Sequence, residues 1–308
     1  MCVPVLSLKM HCYDVCLKLT SASTQPVLPH ARTVVCSPHF DDAVLDCWSV
    51  LDRDANCAVV NVFTGAPGGG FVSFYDRING ASSSAAHMQE RALEDRDALS
   101  VAGRKAVDLG LLEAQYRLRQ SPLLHAIASR LPPFGSLMLR LPFLGRPLYT
   151  TSAPDPVQLA QAIAQAAPDA STVCVPAGIG GHRDHLLVRQ AGVVLASRGL
   201  SVRMYADLPY AVRHGWPGWI GSSQVERMMD DPSGRWASDL RSVRRYIGDP
   251  IREARVVRLT PDERTRKETA VRRYATQVDS LNGRRRLLDQ ASIFSYEVYW
   301  EVKSPAGK

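Results

Sequence analysis

The sequence predicts one α/β domain, doubly wound around a mostly parallel sheet, and three observations carry that expectation. Short β-branched runs alternate with helical patterns along most of the 308 residues. Two of those runs end in loops dense in His and Asp, at the carboxyl ends of strands, where open α/β sheets bind their ligands. No apolar run reaches the length of a membrane span, and no internal repeat competes with the alternating pattern.

Met1 to Ala31 reads as an extension, 1–31, ahead of a domain over 32–308. Asp14 to Leu19 is a candidate short strand there, and Pro26 to Pro29 a linker. Arg32 to Ser37 is the first firm strand. A helix over about Asp42 to Asp52 follows, with Val44, Leu45, Trp48 and Leu51 at helical spacing. Cys57 to Phe63 is the second strand. The polar loop Gly65 to Ala86 carries Gly68, Gly69 and Gly70 but no Lys-Ser/Thr after them, so it reads as a lid rim bordering a pocket and not as a phosphate cradle. His87 to Ala102 is helical and stops at Gly103. Val107 to Leu109 reads as a short strand, Leu123 to Leu131 as a short helix, and the Pro-rich stretch to Pro156 as irregular.

A helix over Pro156 to Ala167 starts with Pro in its first turn. Thr172 to Val175 is a buried strand, Arg183 to Arg198 a helix stopped by Gly199, and Val202 to Tyr205 another strand. Trp216 to Ile247 has no clear pattern. Arg252 to Arg258 reads as a strand, Pro261 to Leu281 as one long helix, and Phe294 to Val302 as the last strand.

The seven cysteines are scattered without a Cys-x-x-Cys pair, which predicts a reducing, cytoplasmic setting. Met1 to Ser21 lacks the charged start, apolar centre and cleavage site of a signal peptide. The net charge of +7 comes largely from Arg in the C-terminal third and lacks interleaved aromatics for base stacking. It reads as a solvated basic face, with attraction of an anionic substrate as the functional alternative and no nucleic-acid partner.

The chemistry is concentrated in two loops. Val35-Cys36-Ser37-Pro38-His39-Phe40-Asp41-Asp42 ends the first strand; two of His39, Asp41 and Asp42 can bind a divalent metal while the third stays free as a base. The bland alternative is a helix start with stabilising acids. Gly178-Ile179-Gly180-Gly181-His182-Arg183-Asp184-His185 ends another strand, and its histidines, three apart at a helix start, can face the same cleft. Together the loops offer a His, Asp, His set with spare carboxylates, which suits an open catalytic zinc site; a His/His/carboxylate set also suits iron(II).

These motifs make the chain resemble the LmbE/PIG-L family of metal-dependent N-acetylglucosamine deacetylases. His39-Phe40-Asp41-Asp42 is similar to the family's His-Pro-Asp-Asp, and His182-Arg183-Asp184-His185 matches its His-x-Asp-His. Arg91-Ala92-Leu93-Glu94-Asp95 looks like the family's Arg-x-x-Glu-Asp helix. Asp207-Leu208-Pro209-Tyr210-Ala211 and Tyr274-Ala275-Thr276-Gln277 look like segments of one bacterial branch. The likeness spans about Arg32 to Trp300 and implies a Rossmann-like fold. It also implies His39, Asp42 and His185 as metal ligands, for Zn2+ or Fe2+, and Asp41 as general base. His182 would stabilise the oxyanion or protonate the leaving amine, and Asp184 would orient a neighbouring histidine. Arg91, Asp95 and Asp76 are candidate substrate contacts, the first two for sugar hydroxyls, with structural ion pairing as the alternative. Phe40 and Ala43 depart from the family's usual Pro and Glu, and Gly180 stands where some members carry a Tyr that helps the oxyanion. Cys36, Cys47, Cys174 and Trp48 read as core.

The expected function is therefore metal-dependent removal of an N-acyl group, an acetyl in the first instance, from an amino sugar or sugar conjugate in secondary metabolism. The partner is a small N-acylated amino-sugar substrate, with no membrane span and a homo-oligomer left open. An amidase on a non-sugar amide and a catalytically silent binding relative are the alternatives.

Overall fold

A computed structural model describes residues 27–28, 30–68, 70–117, 154–213, 235–250, 252–282, 286–289 and 293–303. Strands β1 (Thr33–Ser37), β2 (Cys57–Asn61), β3 (Ala106–Asp108), β4 (Thr172–Pro176), β5 (Ser201–Tyr205), β6 (Arg255–Arg258) and β7 (Tyr296–Glu301) form one sheet in the order β3-β2-β1-β4-β5-β7-β6. The first five are parallel. β7 runs antiparallel to both β5 and β6, which gives the sheet a mixed edge. This bears out the α/β expectation.

The register follows from the β-branched runs. Val35 pairs with Val59 on one side and Cys174 on the other. β1 and β2 are buried at every position, as strands covered on both faces must be. The order places β1 beside β4, so the loops that leave their carboxyl ends are neighbours. The helix that leaves the second loop, at Arg183–Ser197, lies close on β4. A side chain at Gly192 would place its Cβ 2.7 Å from Val175 Cγ2.

Two expected helices are each broken. The first becomes α1 (Asp42–Asp46) and α2 (Trp48–Arg53), with Cys47 at φ −129° between them. The break is caused by Glu297 of β7. Its carboxylate accepts from the amides of Trp48 (2.7 Å) and Ser49 (3.0 Å), which therefore do not continue the helical ladder. The long C-terminal helix becomes α11 (Pro261–Val271) and α12 (Ala275–Asn282). At that break the Thr276 amide takes a tertiary partner, Glu94 (2.9 Å), and the Tyr274 hydroxyl anchors the turn on Asp95 (2.7 Å).

The other helices are α3 (Phe74–Ile78), α4 (Ser84–Ser100), α5 (Ala114–Arg117), α6 (Pro156–Ala166), α7 (Arg183–Ser197), α8 (Tyr210–Arg213), α9 (Arg235–Leu240) and α10 (Arg244–Ile247). The polar loop after β2 thus contains a helical turn, capped by Ser73 on the Asp76 amide, and α4 starts ahead of the expected His87 because Ser83 caps it. The unpatterned stretch is helical over its described part, Arg235 to Ile247. The expected strand at Asp14 to Leu19 and helix at Leu123 to Leu131 lie outside the described residues. Among the described residues no helix is long and apolar enough to cross a membrane. Cys36, Cys47, Cys57 and Cys174 are buried free thiols, and Trp48 is wholly buried, all as core.

Glu297 also meets Lys267 Nζ at 2.7 Å, with both side chains wholly buried. Removing one member leaves the other charge without its counter-ion in the core, which costs about 3–5 kcal/mol. Glu297→Ala is accordingly expected to lose about that much in urea unfolding, and Lys267→Met with Glu297→Gln to recover a large part of it. A Glu297→Ala protein as stable as wild type would show that the pair and its amide contacts do not hold the helix break.

Candidate metal centre

The two loops converge as their places in the sheet require. His39 follows β1, His182 is the N-cap of α7, and His185 lies in that helix's first turn. One ligand atom from each of these three histidines lies within 4.8 Å of the others. The rings of His39 and His182 meet edge to face at 4.9 Å, and His39 lies 5.2 Å from His185. Asp42 sits between two of them, with Oδ2 3.4 Å from both His39 Nδ1 and His185 Nε2. The His39 amide donates to the same oxygen at 2.8 Å.

Two of the three rings are fixed from behind. His39 Nε2 faces Asp184 Oδ2 at 3.2 Å, and His185 Nδ1 donates to Asp207 Oδ1 at 2.7 Å. A carboxylate on one ring nitrogen leaves the lone pair of the other turned into the centre, the usual support for a metal-binding imidazole. Two ring nitrogens, His185 Nε2 and His182 Nδ1, are buried without a hydrogen-bond partner among the described residues. Buried polar atoms normally find partners, so these orphans, beside an anionic Asp42, fit a divalent cation. His39, Asp42, His182 and His185 are the residues able to hold it.

The electrostatics divide the adjacent acids. Burial alone would raise Asp42, but His185 and His39 beside it overcome that and hold it at about 2. Burial, and then the Asp42 charge alongside, pushes Asp41 up to about 6. Asp41 is the N-cap of α1, yet its side chain makes no capping hydrogen bond. An acid with a pKa near the working pH and free of a cap is suited to moving a proton. Burial, and next the nearby His39, lowers His182 to about 3. Asp184 is held well below the usual carboxylate range: burial opposes this, and the His39 hydrogen bond and the Arg117 guanidinium overcome it.

The three residues expected as substrate contacts each have protein partners. Arg91 is buried, pairs with Glu113 through Nη1 and sits 5.8 Å over the Phe40 ring. Phe40, in place of Pro, thus serves as its platform. Asp95 is buried and accepts from Asn61 (2.8 Å) and Tyr274 (2.7 Å). Asp76 is buried and accepts from Ser84 Oγ and from Tyr116 OH (2.9 Å). Part of their hydrogen-bonding capacity is used within the protein, while Asp76 Oδ1 and Arg91 Nε are buried with no hydrogen-bond partner among the described residues. Gly180 has φ +90°, and a Cβ there would lie 2.7 Å from Tyr210 Cβ. Tyr210 therefore occupies the space next to that position, with its ring 5.9 Å from His182 and 5.5 Å from His185.

Sequence reasoning missed three groups. Asp207 is the clearest: it follows β5, in a segment noted only for its resemblance, with no task given to it. Glu113 and Arg117 belong to a short polar turn with no motif. The Asp184 carboxylate also accepts from the Ala114 amide at 2.8 Å and from Arg117 Nη2.

No family model matches the chain. It is 30% identical over 217 residues to the 2'-N-acetylparomamine deacetylase of Streptomyces fradiae, an alignment that covers 67% of this chain and 65% of that relative's length. Its fold is similar to the zinc-inhibited form of teicoplanin deacetylase Orf2, with 21% identity and a TM-score of 0.59 over 90% of this chain and 100% of that one. It is equally similar to the A40926 pseudoaglycone deacetylase Dbv21, with 24% identity and a TM-score of 0.58 over 91% of this chain and 100% of that one. At these identities the solved structures establish the shared α/β fold.

Asp95 supplies a pH test. Burial raises it to about 7, against an unfolded value of about 3.9. The folded chain therefore keeps its proton where the unfolded chain has lost it. The resulting stability is fully present below about pH 4 and is lost as pH rises through about 7. Asp95→Asn is expected to lose less stability than wild type between about pH 5 and about pH 8, measured by urea unfolding at each. Equal losses in the two proteins would sink this assignment.

Proposed function

We propose that the chain is a metal-dependent hydrolase of LmbE/PIG-L type that removes an N-acyl group, an acetyl, from an amino sugar or sugar conjugate in secondary metabolism. The observation that carries the reading is the convergence of His39, His182 and His185, two of them on Asp42, beside Asp41, whose side chain makes no capping hydrogen bond. The names of similar proteins, a 2'-N-acetylparomamine deacetylase and a teicoplanin deacetylase, support the reaction class.

In this reading His39, Asp42 and His185 hold the ion, zinc by preference and iron(II) as the alternative. A divalent ion at such a site supplies Lewis-acid chemistry and acidifies water. Asp41 takes the proton of the attacking water, for which its raised pKa suits it. His182, edge to face with the His39 ring, stabilises the oxyanion or gives a proton to the leaving amine. Asp184 and Asp207 hold the His39 and His185 rings. Arg91, Asp95 and Asp76 are the candidate substrate contacts, each also held by a protein partner.

The direct test is a panel of N-acylated amino-sugar conjugates incubated with zinc-loaded protein, reading freed primary amine. Release from acetylated sugars is expected; release only from non-sugar amides would move the substrate class, and none from any amide would refute the hydrolase. His39→Ala and His185→Ala should each lose both bound metal and activity, and full metal occupancy in both by elemental analysis would overturn the ligand set. Asp41→Asn should keep most of the metal and lose on the order of a hundred-fold or more in turnover. Asp42→Asn should weaken metal affinity, with excess metal restoring part of its activity. The opposite pattern in these two variants would exchange their roles.

A further inference from the structure

We infer that Arg117 is a positioning residue of the metal centre: it fixes the plane of the Asp184 carboxylate and, through it, the ring of His39. The inference rests on the metal-centre reading given above. An aspartate carboxylate turns easily, because its last torsion has broad, roughly two-fold minima. A carboxylate that is to aim an imidazole must therefore be held from outside. Asp184 is wholly buried, and its two oxygens have different tasks. Oδ1 accepts from Arg117 Nη2, while Oδ2 accepts from the Ala114 amide at 2.8 Å and faces His39 Nε2 at 3.2 Å. With the plane set this way, His39 has one direction in which to point Nε2. Its Nδ1 then falls 3.4 Å from Asp42 Oδ2, in the centre.

Arg117 is itself held firmly enough to do this. It is buried, and its guanidinium stacks 5.2 Å over the Phe63 ring, which also lies 6.4 Å from the His39 ring. The turn that carries it is fastened at several points. Glu113 pairs with Arg91, Gln115 accepts from Ser73 Oγ at 2.8 Å, and the Tyr116 hydroxyl donates to Asp76 at 2.9 Å. A planar, stacked guanidinium imposes a direction on a carboxylate that a lysine ammonium, a point charge on a flexible stem, does not. Arg117 thus links the polar loop after β2 to the orientation of a ligand on the opposite loop.

The test measures zinc affinity by competition with a chromophoric chelator, with circular dichroism and thermal unfolding as checks on the fold. Arg117→Met is expected to weaken zinc binding by about 10- to 100-fold, the usual effect of removing an outer partner of a metal ligand. Arg117→Lys should weaken it less, though clearly below wild type. The Arg117→Met/Asp184→Asn double variant should bind no more weakly than Asp184→Asn alone, since both changes act on one ring. Arg53→Met, which breaks the Arg53–Glu263 pair at the end of α2, should leave zinc affinity unchanged. Wild-type affinity in Arg117→Met, or losses that multiply in the double variant, would overturn the inference. If Arg117→Met does not fold, Arg117→Lys decides: wild-type affinity there overturns it and a clear loss supports it. A wild-type protein that binds no zinc, or a His39→Ala variant that binds it as tightly as wild type, overturns the metal-centre reading instead and this inference with it.

Discussion

Asp42 Oδ2, lying 3.4 Å from nitrogens on two histidines of different loops, is where the structure's electrostatics are settled. Asp41, Asp184 and Asp207 are buried around it with Asp42 itself, so four carboxylates share a small volume. A buried charge costs several kcal/mol unless it is paired and hydrogen-bonded. The fold meets that demand with donors from separate segments: the His39 amide for Asp42, the Ala114 amide and Arg117 for Asp184, and the Ile179 amide and His185 for Asp207. Only the strand order that sets β1 beside β4 and β4 beside β5 brings those segments together. The sheet is in this sense the scaffold of a charge arrangement as much as of an apolar core.

The β-branched strands were legible because strands buried on both faces carry continuous apolar runs, as Thr33–Ser37 and Cys57–Asn61 do. The two loops were legible because the residue types able to bind a cation are concentrated within a few positions. The breaks at Cys47 and before Ala275 were not legible. Their causes, Glu297 in one case and Glu94 with Asp95 in the other, are distant in sequence, and local periodicity holds no trace of them. Arg91, Asp95 and Asp76 were legible as important polar residues. Their partners within the protein, Glu113, Tyr274 and Tyr116, were not legible, because they come from other elements. The turn from Glu113 to Arg117 escaped for the same reason, since its significance lies wholly in what it touches.

The second loop reaches its shape by a different route from the first. Asp239 accepts from the Gly180 amide at 2.7 Å, and Arg189 donates to the Ala177 carbonyl at 2.9 Å, so residues behind the loop hold its backbone. Gly180 leaves room for Tyr210, whose ring then stands beside both histidines. The first loop is instead fixed by its own strand end: Ser37 Oγ accepts from the Ala43 amide at 2.9 Å and closes the turn on itself. The first loop also rests on the segment after β2, whose Phe63 amide donates to the Pro38 carbonyl at 2.9 Å, and the second takes its form from α9 and α7.

Glu297 gives the centre a place in time as well as in space. The Trp48 amide waits for a partner 249 residues further along the chain. Contacts of such separation are met late, because the entropy of closing so long a stretch must be overcome before the contact returns anything. On a ribosome, where synthesis proceeds from the N-terminal side, His39, Asp41 and Asp42 are made well before β7, and the helix break that follows them cannot settle until β7 has emerged. The segment after the first loop therefore takes its native form only once β7 has been made, and until then His39, Asp41 and Asp42 stand on a nascent chain without the frame that orders them.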